Sequence, residues 1–131
     1  MKELSFRAWH KKEKWMDGVW AWDIEHGLLC FTKHSEALLE DCVLMQSTGI
    51  LDKNGREIYE GDICYPIPRK DSLPGVVKFQ RGRFLYACAW GNWDLVTDGL
   101  HPTKKKRENL VVIGNIYENT ELLHKVNGVG L

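Results

Sequence analysis

The sequence predicts a mainly β protein, with strands packed together in the N-terminal part, more strands in the C-terminal half, and one or two short helices. Three observations carry this expectation. Phe84 to Trp90 alternates Phe84, Tyr86, Cys88 and Trp90 against Leu85, Ala87 and Ala89. Both faces are apolar, as in a central strand covered on two sides. Leu110 to Tyr117 is a second strand-like run. Two turn signals separate such runs: Asn54-Gly55, whose residues tolerate positive φ, and Arg81-Gly82-Arg83, which joins Gly75–Gln80 to Phe84–Trp90 as a hairpin.

Composition fits an ordinary globular chain. Its 131 residues match one domain, and 44% apolar with 27% charged residues excludes a disordered chain. The expected organisation is a single domain over residues 1–131, with N-terminal strands in 1–50, a barrel-like part in 51–118 and a C-terminal helix and tail in 119–131. A formal net charge of zero argues against a dedicated DNA-binding domain. No segment approaches the roughly 20 apolar residues that span a bilayer, and the N-terminus lacks the apolar run of a signal peptide. Membrane association is therefore not expected, and a cytoplasmic setting is. Cys30, Cys42, Cys64 and Cys88 contain no CxxC pair, so reduced structural cysteines are expected, with no metal or other cofactor.

Taken in order, Leu4–Trp9 reads as a strand, His10-Lys11-Lys12-Glu13 as a polar turn, and Lys14–Ile24 as a partly alternating strand. Simple alternation puts Trp20, Trp22 and Ile24 on one face and Val19, Ala21 and Asp23 on the other. Asp17-Gly18 is a turn or bulge signal within it. Glu25-His26-Gly27 is a turn before the apolar Leu28–Phe31. Ser35 can cap one or two helical turns through Asp41, although a loop fits as well. Cys42–Thr48 returns to strand. Glu57–Glu60 suits a single helical turn stopped by Gly61, and Asp62–Tyr65 begins a strand. Pro66, Pro68 and Pro74 mark a loop. Asp98–Asn109 is a polar, basic loop, and Asn119 or Thr120 can cap a helix over Glu121–Lys125.

Three stretches together resemble the YopX family of phage and prophage proteins: Phe6-Arg7-Ala8-Trp9, the long motif Leu44–Ile63 containing Gly49-Ile50-Leu51-Asp52-Lys53-Asn54-Gly55-Arg56-Glu57-Ile58-Tyr59-Glu60-Gly61-Asp62-Ile63, and Val112-Ile113-Gly114-Asn115-Ile116-Tyr117-Glu118-Asn119 followed by Glu121-Leu122-Leu123. One departure is His10, where relatives often carry Asp. The resemblance implies an accessory protein acting in a bacterial host cell and implies no reaction, cofactor or catalytic residue. Separately, Gly61-Asp62-Ile63 is similar to the start of a strand in small SH3-like barrels. By that analogy the C-terminal half, from about Glu57 to Tyr117, forms a partly open SH3-like barrel beside the packed N-terminal strands.

Candidate sites divide among three classes of function. The tryptophans are Trp9, Trp15, Trp20, Trp22, Trp90 and Trp93. Trp9, Trp22 and Trp90 are expected in the core, because large aromatics fill a small β core. Trp15 and Trp93 lie among polar residues and are the candidate partner-binding aromatics. Lys104, Lys105, Lys106 and Arg107 form the basic cluster that could meet phosphates, with Arg81 and Arg83 as an extension. A solvated loop explains the same run. No HExxH, GxSxG or phosphate-loop pattern occurs, so an enzyme is not expected. Glu60 and Asp62 could be imagined as an acid–base pair, but a cap and a turn acceptor explain them as well. The leading expectation is protein association: a homo-oligomer, or a complex with a phage or host protein, hides strand edges and exposed aromatics. Nucleic-acid binding through the basic loop is the alternative.

Overall fold

The structure, a computed structural model, describes residues 5–66, 74–88, 91–95 and 109–126; for Trp93, Asp94 and residues 124–126 it describes the backbone alone. The chain is mainly β, as expected, and separates into two compact units, Met1–Ser47 and Thr48–Leu131.

The first unit is an antiparallel sheet. Its strands are β1 (Phe6–His10), β2 (Trp15–Asp23), β3 (Leu28–Phe31), β4 (Ala37–Leu38) and the first part of β5 (Cys42–Leu51), in the order β4-β3-β2-β1-β5. Buried Ala8, Leu29, Phe31 and Cys42 form its core, with Trp15, Val19 and Leu44 packed against them. A bulge between Val19 and Ala21 puts Val19 opposite Phe31 and Trp22 opposite Leu29. Phe31 and Leu29 are two residues apart on one strand, so Val19 and Trp22 share a side. The extra residue breaks the simple alternation the sequence suggested.

Of the segment after Ser35, read as one or two helical turns or equally as a loop, only its end is helical. Ala37–Leu38 pairs with Leu28–Leu29 as a short strand, and a 3-10 turn, Leu39–Asp41, follows without a side-chain cap. The backbone groups of this segment are used by the sheet side of the unit: Leu39 N–H donates to the Gly27 carbonyl (2.8 Å), and Lys11 N–H donates to that of Asp41 (3.0 Å). Tertiary hydrogen bonds have overridden a weak local helix preference.

In the second unit the end of β5 lies beside β6 (Glu57–Tyr59). Here too a strand replaces the expected helical turn. The Ile58 side chain is fully buried, and the Ile58 carbonyl accepts from Thr48 Oγ1 (2.7 Å). A five-stranded antiparallel sheet follows: β7 (Asp62–Pro66), β8 (Gly75–Gln80), β9 (Arg83–Cys88), β10 (Gly91–Asp94) and β11 (Leu110–Asn115), ordered β10-β9-β8-β7-β11. The sheet is open. Phe84, Leu85, Tyr86, Ala87 and Cys88 are all buried, as two apolar faces require, and Arg81-Gly82 turns the β8–β9 hairpin with positive φ at both residues. Ile50, Ile58, Cys64, Val77, Phe84 and Val112 belong to one core cluster.

β11 stops at Asn115, two residues short of the expected end. The Asn115 carboxamide oxygen accepts from Tyr117 N–H (3.0 Å) and Glu118 N–H (2.8 Å), which turns the chain. The short helix expected over Glu121–Lys125 is present as a 3-10 helix, Thr120–Val126. Gly114 is required by close approach, since a Cβ there would strike the Asn119 side chain, whose oxygen accepts from Asn115 N–H (3.0 Å).

Asp52 ties the β5–β6 turn to β11. Its carboxylate is 1% exposed. Oδ1 accepts from Asn54 N–H (2.9 Å) and Arg56 N–H (2.8 Å), and Oδ2 accepts from Val112 N–H (2.9 Å). Lys53 N–H donates to the Leu110 carbonyl (2.9 Å), and Gly55 at φ 82° completes the turn. Asp52→Ala strands three N–H groups and is expected to lower unfolding free energy by about 3 kcal/mol or more. Gly55→Ala meets only the left-handed backbone penalty, about 1–2 kcal/mol. Urea denaturation of both variants checks the order, and equal losses would contradict it.

Candidate functional site

The first unit gathers unusual polar chemistry at one end of its sheet. Residue pairing puts His10, the last of β1, opposite Trp15, the first of β2. The turn between them closes through a hydrogen bond from Lys14 N–H to the His10 carbonyl (2.9 Å), with Lys14 at φ 62°. The segment joining β3 to β4 approaches this turn. Together they enclose a recess of about 270 Å³, lined by His10, Glu13 and Trp15 on one side and by His34–Ala37 on the other.

Asp17, 8% exposed on β2, shapes the recess. Its Oδ2 accepts from Lys33 N–H (2.7 Å) and His34 N–H (3.0 Å), and lies 2.9 Å from His34 Nδ1. Its Oδ1 accepts from Gly18 N–H (2.8 Å). Burial by itself would push the Asp17 carboxyl up. The His34 hydrogen bond, the Lys33 and Gly18 N–H groups and the His34 charge outweigh burial and hold it below the ordinary carboxylate value.

Trp15 is the hub. It stacks on His34 (3.8 Å between ring centroids, 10° between planes), meets Phe31 edge-on (4.8 Å) and lies 5.1 Å from the His10 ring. Its Nε1–H donates to Glu13 Oε2 (3.0 Å). Both histidines are oriented at Nδ1. His10 Nδ1 accepts from Glu13 N–H (3.1 Å), which places the proton of the neutral ring on Nε2. His34 Nδ1 lies against the Asp17 carboxylate oxygen, which can only accept, so Nδ1 is the donor of that pair.

Of the candidate binding residues named from the sequence, Trp15 belongs to this recess, and it is half-buried; His10, noted as a family departure, and Ser35, read as a helix cap, also line it. Trp93 lies on β10 opposite Tyr86, far along the chain in the second unit, and only its backbone is described. Lys104, Lys105, Lys106 and Arg107 lie outside the described residues, as do Trp90 and His101. Arg81 and Arg83 are exposed on their hairpin. Trp9 is buried as expected, but Trp22 is 48% exposed, and Trp20 (70%) and Ile24 (80%) are exposed with it. Trp22 misses the core because it lies at the far end of β2, beyond the Phe6–Val19 pair where β1 stops covering its neighbour. Asp62 is fully buried and accepts from Tyr59 N–H (2.8 Å), so it serves as a turn acceptor. None of the four cysteines is disulfide-bonded, and burial pushes the Cys42 thiol up, with the Asp41 charge adding to it against Lys11. Among the described residues no three His, Cys, Asp or Glu side chains are grouped to hold a metal ion, and no helix is long and apolar enough to cross a membrane. Sequence reasoning missed the Asp17–His34 pair. Asp17-Gly18 was readable only as a bulge signal, and its partner lies 17 residues away.

Asp17→Asn is expected to destabilise the protein by about 1–3 kcal/mol at neutral pH. Because folding lowers the Asp17 pKa, its ionic contribution is complete above the unfolded value of about 4 and is lost as pH falls through the folded value. The gap in urea midpoint between wild type and Asp17→Asn should therefore hold from pH 7 to 5 and narrow below pH 4. A gap that widens in acid would reverse the assignment.

The sequence model described as YopX protein matches residues 5–124. No curated protein matches the chain. Among solved structures, the chain is similar to the crystal structure of protein EF1440 from Enterococcus faecalis, with 31% sequence identity, a TM-score of 0.68, and coverage of 94% of this chain and 99% of that one. The family match covers residues in both compact units. On this ground the chain belongs to the YopX family.

Proposed function

We propose that this protein is a phage or prophage accessory protein that acts by binding other proteins, self-association included, in the cytoplasm of its bacterial host. The observation that supports this reading is the run of exposed apolar side chains at the outer end of β2. Trp20, Trp22 and Ile24 are 70%, 48% and 80% exposed within five residues. Single exposed apolar residues are ordinary, but two tryptophans and an isoleucine so close together are not. Tryptophan is also the side chain most enriched where binding energy concentrates, since it buries a large area at little entropic cost.

The Trp20 indole is positioned for such a role. Its Nε1–H donates to the Phe31 carbonyl on the adjacent strand (3.0 Å). The polar end of the ring is thereby satisfied within the protein, while most of its surface faces water. A partner covering it would gain apolar burial without stranding an indole N–H.

Sedimentation equilibrium over a hundredfold concentration range tests the self-association arm. Wild type is expected to show a mass that rises with concentration, and Trp20→Ser/Trp22→Ser to remain a monomer. Both side chains are exposed, so the double variant should lose no more than about 1 kcal/mol of stability. A concentration-independent monomer for wild type would remove this arm.

A further inference from the structure

We infer that the outer end of β2 pairs with the same segment of a second copy of this chain, antiparallel and edge to edge, about a two-fold axis at Trp22. This pairing rests on the self-association arm of the proposed function and gives that arm a partner segment, a register and a symmetry.

The outer end of β2 has an open edge. The strand stays paired with β3 as far as Asp23, opposite Leu28. Its pairing with β1 ends at Phe6–Val19. From Trp20 to Asp23, one edge of β2 therefore has a strand beside it, and the other has none among the described residues. Alternate residues of an antiparallel strand aim their N–H and C=O groups at each edge, so an open edge is a template for a further strand. Natural sheets blunt such edges with lysine, proline or an inward charge. Trp20-Ala21-Trp22-Asp23-Ile24 contains no lysine or proline. Its one charged side chain is already engaged in its own turn. Asp23 Oδ1 accepts from His26 N–H (3.2 Å), and Oδ2 lies 2.9 Å from His26 Nδ1.

The order of side chains along the segment selects a second copy as the added strand. A two-fold axis at Trp22 sets Trp22 opposite Trp22 and each Asp23 opposite the second copy's Ala21, and brings each Trp20 level with the second copy's Ile24. Each large apolar side chain then has a large apolar counterpart at its level, and no two like charges are directly opposed. Neighbouring registers lose this. An axis at Asp23 opposes two carboxylates, and an axis at Ala21 runs into Val19, whose edge β1 already holds. Trp20, Trp22 and Ile24 together expose about 400 Å² per copy, so the pair covers about 800 Å² of them. That is less than the roughly 1,200–2,000 Å² of a stable interface. The dimer is therefore weak, and the backbone ladder carries part of its affinity.

Sedimentation equilibrium and amide hydrogen exchange on the full chain test the pairing. Trp22→Glu and Trp22→Lys each put like charges at the axis and are expected to stay monomeric where wild type dimerises. Mixed in equal amounts, they are expected to form a dimer about tenfold tighter than either variant forms alone. The amides of Trp20–Asp23 that exchange fast in dilute wild type are expected to slow about tenfold in concentrated wild type and to stay fast in Trp22→Glu. A wild-type dimer whose amides do not slow, or whose Trp22 variants do not recover a dimer on mixing, would overturn the edge pairing and leave self-association standing. A wild-type monomer would overturn both. If removal of residues 2–4 then allowed dimers to form, the edge would belong to the chain's own N-terminal residues.

Discussion

A single buried carboxylate, that of Asp52, is the constraint on which the second unit depends. A carboxylate leaves water only if its lone pairs are met. Those of Asp52 are met by three backbone N–H groups, two within its own turn and one from Val112, sixty residues along the chain. The turn cannot form its geometry without the side chain, and the side chain cannot be buried without β11. Ile50 and Ile58 on one side of the turn and Leu110 and Val112 on the other thereby belong to one core cluster. Hydrophobic area supplies the driving force there, and the carboxylate fixes which strands share it.

The first unit repeats the device in another setting. Asp17 gathers Gly18, Lys33 and His34 N–H groups and aligns the His34 ring, so a chain segment with little helix or strand preference acquires a definite course. The difference lies in what the carboxylate's last acceptor position reaches. At Asp52 it reaches a backbone N–H in a strand, and the result is purely architectural. At Asp17 it reaches an imidazole that is 37% exposed and stacked on an indole. Such a group is organised beyond what folding alone requires, and for that reason the recess, rather than the Asp52 turn, is the place to look for chemistry.

Strand content was legible because period-2 alternation and two-residue turns act locally. Phe84–Cys88 and the Arg81-Gly82 hairpin came out as the pattern indicated. The helical turn read at Glu57 did not, and after Ser35 only Leu39–Asp41 is helical, since helix preference over four to seven residues is worth less than the sheet and loop hydrogen bonds competing for the same N–H groups. A bulge adds one residue and re-aims every side chain beyond it, which is why the facing of Trp22 could not be read from alternation. The family motif was visible as a string, but its physical content, buried acceptors at Asp52, Asp62 and Asn115, became apparent only with their distant or turn partners in place. Of the recess, Trp15 was noticed for its polar neighbours. The pairing of Asp17 with His34 has no local signature.

The sixty-residue reach from Asp52 to Val112 also orders events during synthesis. Apart from the end of β5, the first unit's strands lie within Met1–Ser47, and its farthest strand partners are Phe6 and Gln46. Those contacts can close as soon as that stretch has left the ribosome. The Asp52 turn must wait until Val112 emerges, at translation rates of about 5–20 residues per second a delay of several seconds. During that interval the nascent β5–β6 segment holds an ionised carboxylate and an uncovered Ile58, a state that suits engagement by a chaperone before the last strand arrives.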